Sequence, residues 1–202
     1  MRHYHEQISD RMFDFKDYYL KIANKLNNNS VIAEVGAADG ASCVFLGETL
    51  LDMGKTFKFY VIDNLDYGRS DQLQTLMGHI ANAGLSKHIT IIPTNSLEAS
   101  CKFPDDHFDF VFIDASHRYE LTKADIRLWY RKVKERGFLA GHDYNSGEGL
   151  EVMQAVDEVI PRKIERDGNE VEFLHVEGTS KGMGVWWVER LFYVEMNRLG
   201  FL

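Results

Sequence analysis

The stretch FDFVFIDASHRYE, residues Phe108–Glu120, decides the fold of this chain, and GFLAGHDY, residues Gly137–Tyr144, follows the same plan. Each begins with apolar or small residues and changes abruptly to ionisable ones. A continuous apolar run rich in β-branched and aromatic residues predicts a strand buried on both faces of a sheet. The ionisable residues are Asp114 and His117 in the first stretch, and His142 and Asp143 in the second. Because open α/β sheets bind ligands beyond the carboxyl ends of their strands, we expect a ligand site here.

Length and composition favour one globular domain over residues 1–202, with 45% apolar and 27% charged residues. The net charge of −8 and the lack of a basic stripe argue against a nucleic-acid partner. The sequence has no signal-peptide core and no run of about 18 apolar residues, so we expect no membrane contact and a cytoplasmic location. Cys43 and Cys101 form no CxxC pair, which indicates neither a zinc site nor a disulfide framework.

Strand and helix patterns alternate along the chain, which predicts a mainly parallel sheet covered by helices on both faces. The predicted strands are 31–35, 57–62, 89–92, 108–113, 138–141, 171–176 and 184–189, the last two forming an antiparallel pair. The predicted helices that follow the early strands cover about 41–53, 70–83, 119–135 and 149–160.

The two ends of the chain are also expected to be helical. Apolar residues at helical spacing predict one helix over Glu6–Leu26, within an N-terminal helical cap of residues 1–29. The tail, residues 190–202, has helical character and no clear role. Either segment could mediate a homodimer, which is a further expectation.

A glycine turn follows the first strand, in the pattern Glu34-x-Gly36-x-x-x-Gly40. Glycine and small neighbours let a ligand approach the backbone closely. Alanines at Ala38 and Ala41 break the G-x-G-x-x-G dinucleotide fingerprint, and no P-loop lysine is present. An acidic residue at the strand end suits a ligand carrying a cation or an amine. The alternative is a plain strand-to-helix turn.

Polar residues also follow the second and third strands. The two oxygens of Asp63 suit paired ribose hydroxyls, although a turn or cap role is the alternative. Asn95 and Ser96 could contact an adenine ring, but Ser96 could equally cap the next helix, with Glu98 nearby.

These motifs together resemble class I S-adenosylmethionine-dependent methyltransferases. IDASHRYE and GFLAGHDY match the strand-four and strand-five patterns of the branch related to macrocin-type and catechol-type O-methyltransferases. The resemblance extends over residues 31–160, about two thirds of the chain. It implies a Rossmann-like sheet of seven mostly parallel strands in the order 3-2-1-4-5-7-6, with the last strand antiparallel.

The resemblance also assigns roles in binding S-adenosylmethionine. Glu34 corresponds to the acidic residue under the loop that holds the methionyl part, and Asp63 to the ribose-binding carboxylate. The remaining cofactor positions that it implies are Gly36, Ala38, Gly40 and Ser42 in the loop, Asn64, Asn95 and Ser96 around the adenine, and Asp114 and Ala115 at the fourth strand.

A histidine base or a bound divalent metal could help a hydroxyl acceptor lose its proton. We expect His117 and Asp114 to be catalytic. His117 has the residue type for a general base near neutral pH. Asp114, His142 and Asp143 occupy the positions that hold a divalent metal in metal-dependent members of the superfamily. A His/Asp/Asp set departs from the all-oxygen pattern of magnesium and suits manganese, iron or zinc better. His142 could instead point into the sheet or act as a second base.

The sequence therefore predicts methylation of a hydroxyl on a small molecule, with a sugar or polyol as one option. The first alternative is an iron-dependent hydroxylase-like member of the same fold. The second is a non-catalytic protein that binds the cofactor or serves in assembly.

Overall fold

The computed structural model describes residues 3–9, 13–66, 70–144, 150–166, 168–179 and 183–191. A short 3-10 helix covers Tyr4–Gln7, and the α-helices are α1 Lys16–Lys25, α2 Ala41–Asp52, α3 Gln72–Asn82, α4 Ser96–Ser100, α5 Tyr119–Lys132 and α6 Leu150–Val159. Among the described helices, none combines the length and the apolar character that crossing a membrane requires.

Seven strands form one sheet in the order β3-β2-β1-β4-β5-β9-β8. The strands are β1 Ser30–Val35, β2 Phe57–Asp63, β3 Ile89–Pro93, β4 Phe108–Ile113, β5 Val133–Tyr144, β6 Lys163–Arg166, β7 Asn169–Glu172, β8 His175–Gly178 and β9 Gly184–Glu189. Within this seven-stranded sheet, β9 is the strand that runs antiparallel to its neighbours, which are β5 and β8. The predicted order is therefore confirmed, because the last two sheet strands of the sequence correspond to β8 and β9. A separate two-stranded sheet joins β6 to β7.

The chain order reverses beside β1, which has β2 on one side and β4 on the other. Val35 pairs with Ile62 and also with Ile113, so the carboxyl ends of these three strands lie level. Such a reversal leaves a crevice between the loops that leave neighbouring strands, and parallel α/β sheets bind their ligands there.

Alternate residues of the strands enter two cores, one on each face of the sheet. Phe110 and Phe112 pack on the side of α1, α2 and α3, whereas Val111 and Ile113 pack on the side of α4, α5 and α6. This is the physical reason that β4 is apolar without interruption: both faces of it are covered.

The single helix predicted over Glu6–Leu26 is wrong. The described part of this segment has the 3-10 helix, a stretch of residues 13–15 without regular structure, and then α1. Tertiary contacts override the helical periodicity, because Glu48 binds the backbone N–H groups of Tyr4 and His5. The apolar residues of the pattern are nevertheless buried where they are described.

The predicted strand 171–176 is divided between two sheets. Asn169–Glu172 belongs to the small sheet and His175–Gly178 to the main sheet. Between them, the N–H of Phe173 donates to the carbonyl of Arg162, which interrupts the strand.

Two other boundaries differ from the sequence-based expectation. Helix α5 ends at Lys132 rather than near residue 135, because Val133 is extended and pairs with Phe108 as the first residue of a longer β5. The helical tail predicted over residues 190–202 is not helical at 190 and 191, and the rest of it, residues 192–202, lies outside the described residues.

Candidate active site

The glycine turn lies against both neighbouring strands. Gly36 has φ +87°, and a Cβ there would lie 1.9 Å from the carbonyl oxygen of Asp114. The N–H groups of Ala37 and Ala38 donate to Oδ2 of Asp63, at 2.9 and 3.1 Å. Only glycine permits so close an approach with a left-handed backbone, so the turn is fixed between the ends of β2 and β4.

Glu34 lies under this turn and is almost fully buried. Its carboxylate accepts hydrogen bonds from the Tyr19 hydroxyl at 2.7 Å and the Ser42 hydroxyl at 2.5 Å. Burial, together with the charge of Glu34, raises the pKa of Tyr19 well above its ordinary value. Glu34 thus joins α1, β1 and α2, and its contact with a bound amine stays a prediction.

Asp63 is also buried, and it orders the loop that follows it. Its Oδ1 accepts from the N–H of Leu65 at 2.7 Å, while Oδ2 holds the glycine turn. Asn64 is exposed next to it, and its side chain accepts from the N–H of Asp66. The predicted contacts of Asp63 with ribose and of Asn64 with adenine remain predictions.

Asn95 and Ser96 have structural partners at the end of β3. The Asn95 side chain accepts from the N–H of Glu98 at 2.9 Å, so Asn95, rather than Ser96, caps α4. The Ser96 hydroxyl donates to Asp125 and accepts from the indole N–H of Trp129. Their predicted position at the adenine edge remains untested.

Four ionisable side chains meet at the ends of β4 and β5. His117 Nε2 lies 2.8 Å from Asp143 Oδ2. His142 Nδ1 lies 3.4 Å from Asp143 Oδ1 and 3.8 Å from Asp114 Oδ1. Asp143 has a left-handed backbone with φ +61°, which is uncommon for a residue with a side chain. The residues of the two opening motifs thus form one cluster, as the sequence predicted.

The loop between β4 and α5 gives His117 its place. The N–H of Asp114 donates to the carbonyl of Val35, which attaches the start of the loop to β1. The Thr122 hydroxyl donates to the carbonyl of Ser116 at 2.8 Å, which attaches its end to α5. His117 directly follows the second attachment, and about half of its side chain is exposed.

Burial and neighbouring charges shift the pKa values of the cluster. Burial raises the pKa of Asp114 to about 7; the Asp143 charge adds to the rise, whereas both histidines oppose it. Burial lowers the pKa of His142, but the surrounding carboxylates prevail and raise it to about 9. Burial raises the pKa of Asp143, but its hydrogen bonds from both histidines hold it below its usual range.

His117 differs from His142 in its exposure and in its surroundings. Its hydrogen bond with Asp143 raises its pKa above the ordinary value, while partial burial opposes the rise. A half-exposed imidazole oriented by a carboxylate is an arrangement that can accept a proton from a bound hydroxyl.

Sequence reasoning missed Asp14. Its side chain is fully buried, and its Oδ1 lies 2.9 Å from Nε2 of His142. Its Oδ2 accepts from the Thr179 hydroxyl at 2.5 Å. No local signal could have identified it, because its partner lies 128 residues further along the chain.

A divalent ion fits the cluster chemically. One atom each of Asp114, His117 and Asp143 lie within 4.8 Å of one another. Two carboxylates and an imidazole suit manganese, iron or zinc. The sequence predicted His142 as the nitrogen ligand, but the histidine in this converging group is His117. Nδ1 of His142 faces the same two carboxylates. Its role as a metal ligand stays a prediction.

A second converging group in the described residues contains His3, His5 and Glu48. Glu48 accepts from the N–H of Tyr4 at 2.6 Å and from that of His5 at 3.1 Å. The His5 ring contacts the same carboxylate at 2.7 Å. Attachment of the N-terminal segment to α2 accounts for this group.

Comparison with known proteins identifies the domain. The family described as "Methyltransferase domain" matches residues 33–144, more than half of the chain. Among curated proteins, no sequence matches.

Solved structures show the same fold at low sequence identity. An S-adenosylmethionine-dependent O-methyltransferase of Thermotoga maritima is 15% identical, with a TM-score of 0.63 over 93% of this chain and 69% of that one. A candidate methyltransferase of Streptococcus mutans in complex with S-adenosylhomocysteine is 13% identical, with a TM-score of 0.65 over 91% and 100%. A candidate rRNA methylase of Clostridium thermocellum is 12% identical, with a TM-score of 0.67 over 89% and 96%.

Proposed function

Because the chain belongs to the methyltransferase domain family, we propose that it transfers a methyl group from S-adenosylmethionine to a hydroxyl of a small molecule. A sugar or polyol is the acceptor class that we favour. The observation that carries the proposal is the contact between His117 and Asp143, next to Asp114, whose carbonyl oxygen lies against the glycine turn.

Several features of the cofactor side support the binding of S-adenosylmethionine. The glycine turn offers small residues at the reversal point, and Asp63 lies at its edge with both carboxylate oxygens directed at the loop backbone. When bound, S-adenosylmethionine supplies an electrophilic methyl group on a sulfonium. Gly36, Ala38 and Gly40 would hold its methionyl part, and Asp63 its ribose.

The acceptor side supports deprotonation of a hydroxyl. Nε2 of His117 faces Asp143, so Nδ1 is the ring nitrogen left to accept the hydroxyl proton. With its proton taken up by Nδ1, the acceptor oxygen would bond to the methyl carbon that the cofactor supplies, and S-adenosylhomocysteine would leave with the electrons of the carbon–sulfur bond. Asp143 stabilises the imidazolium that forms, as a carboxylate does behind a catalytic histidine.

The lining of the site favours a small acceptor. The pocket next to the four ionisable residues is also lined by Thr122, Val152 and Trp186. A net charge of −8 offers little attraction to a polyanion such as RNA.

A divalent ion is a second part of the proposal. Asp114 and Asp143 would hold it, with nitrogen from a histidine, and it would lower the pKa of the acceptor hydroxyl. If His117 were the nitrogen ligand, it could not also be the base, so the ion and the histidine base are alternatives at that residue. Activity after chelation, with and without added Mn²⁺, separates the two.

Calorimetry and label transfer test the proposed function. The protein should bind S-adenosylhomocysteine, and Asp63→Ala should weaken that binding about 10- to 100-fold, because it removes hydrogen bonds to a charged group. Asp66→Ala, in the same loop, is the matched control and should bind S-adenosylhomocysteine normally.

Methyl-labelled S-adenosylmethionine should then label a member of a panel of sugars, polyols and catechols, with tRNA and rRNA as competing acceptors. Absence of binding would refute the proposal, and labelling of RNA alone would refute the acceptor class.

A further inference from the structure

We propose that Asp14 is a positioning residue of the active site, which holds His142 so that its Nδ1 faces Asp114 and Asp143. The N-terminal segment would then be a part of the catalytic site rather than a cover over it. The proposal starts from a charged side chain with no exposed surface, bonded to a histidine of the cluster.

The geometry at His142 determines which ring nitrogen faces the site. Nε2 lies 2.9 Å from Asp14, so it donates its proton there. Nδ1 lies on the opposite side of the ring, 3.4 Å from Asp143. A carboxylate bonded to one ring nitrogen fixes the orientation of the imidazole and the atom that it presents on the other side.

Asp14 is itself held from several directions. Thr179, in the segment after β8, donates its hydroxyl to Oδ2. The flanking Phe13 and Phe15 are buried, and the Phe15 ring lies 4.9 Å from the His142 ring. Because both neighbours along the chain are fixed by packing, the carboxylate has little freedom to move away from His142.

The contacts therefore form a continuous series from Thr179 through Asp14, His142 and Asp143 to His117. Loss of Asp14 would remove the bond that fixes Nε2 of His142, so the ring would be less restrained and Asp143 would lose a fixed partner. The effect on turnover rests on the proposed methyl transfer, whereas the orientation of His142 does not.

Nuclear magnetic resonance of the histidine side chains tests the orientation directly. The Nε2 proton of His142, assigned with a His142→Gln variant, should be protected from exchange and shifted downfield by its bond to a carboxylate. In Asp14→Asn that proton should lose its downfield position, and in Thr179→Val it should shift partly. Asp17→Asn, an exposed residue of the same segment, is the control and should leave the signal unchanged.

Kinetics supplies the second readout. Asp14→Asn should lower kcat about 10- to 100-fold, the range for residues that orient a site through another side chain, and leave the affinity for S-adenosylhomocysteine unchanged. If Asp14→Asn does not fold, Thr179→Val still tests the proposal by its smaller changes in the same two measurements. An unchanged His142 signal in the variants that fold, or an unchanged kcat in an active enzyme, would overturn the inference. A shifted signal in a protein that transfers no methyl group would instead refute only the proposed function.

Discussion

The proposed cofactor side and the proposed acceptor side of this site are built in different ways. On the cofactor side, two buried carboxylates accept from fixed donors: Asp63 from the backbone N–H groups of Ala37 and Ala38, and Glu34 from side-chain hydroxyls. On the acceptor side, side chains of opposite charge face one another, and the pKa values of Asp114 and His142 move to about 7 and about 9. The first arrangement provides a fixed shape, whereas the second provides groups that can exchange protons. Changes to the two sides should therefore have separable effects.

The largest expected effect is on the rate of methyl transfer, with no effect on cofactor binding. His117→Ala should lower kcat about 10²- to 10⁴-fold, the usual contribution of a general base, with unchanged affinity for S-adenosylhomocysteine. Turnover and calorimetry on the same preparation check this, with the exposed neighbour Arg118→Ala as the control. Normal turnover by His117→Ala would mean that another group takes the proton.

Gly36→Ala should show that the cofactor side depends on shape. Its Cβ would collide with the Asp114 carbonyl oxygen, whereas a Cβ at Gly54 has no atom within 4 Å. Both glycines have positive φ, +87° and +67°, so Gly54→Ala controls for backbone strain. In chemical denaturation, Gly36→Ala should lose about 1–3 kcal/mol more free energy of unfolding than Gly54→Ala, because its Cβ overpacks the turn. Equal losses would mean that the turn moves away easily from β4.

Glu34→Gln should destabilise the fold on the cofactor side, although glutamine has nearly the same shape as glutamate. An amide can accept from only one of its two polar atoms, so one of the hydroxyl partners, Tyr19 or Ser42, would lose its acceptor. We expect a loss of about 1–3 kcal/mol in the free energy of unfolding, the cost of leaving a buried polar group unsatisfied. Glu135→Gln at an exposed position is the control, and equal stability of the two variants would contradict the structural role of Glu34.

The smallest expected effect is a change in pH dependence on the acceptor side. His117 must be neutral to accept a proton, so activity should rise with pH through its raised pKa. Asp143→Asn removes the carboxylate that raises this pKa, so the acid limb of the kcat profile should move to lower pH, with lower kcat overall. Asp105→Asn, at a distant ion pair, should leave the limb in place. If Asp143→Asn does not move the acid limb, the limb reports the titration of a group other than His117.

Sequence alone predicted most of the sheet and much of the cluster. Strands β1, β4 and β9 have the predicted bounds within one residue, because strands covered on both faces have uninterrupted apolar runs. Asp114, His117, His142 and Asp143 could be grouped in advance, since the carboxyl ends of neighbouring parallel strands meet at one edge.

The failures share one physical cause, which is contact between distant parts of the chain. The helical spacing before Phe15 was real, but Glu48 and His142 fix that segment in another conformation. Residues 171–176 have the composition of a strand, but their two halves pair in different sheets. Asp14 could not be singled out, because nothing next to it in sequence reveals a partner in β5.

The contact of Gly36 with the Asp114 carbonyl has a consequence for how this enzyme could diversify. Under the proposed function, main-chain atoms alone would hold the turn that binds the donor against the strand end that faces the acceptor. Side chains that line the pocket could therefore change to admit new acceptors while this main-chain contact stays in place. A search for altered acceptor range should accordingly randomise the residues around Val152 and leave both main-chain partners intact.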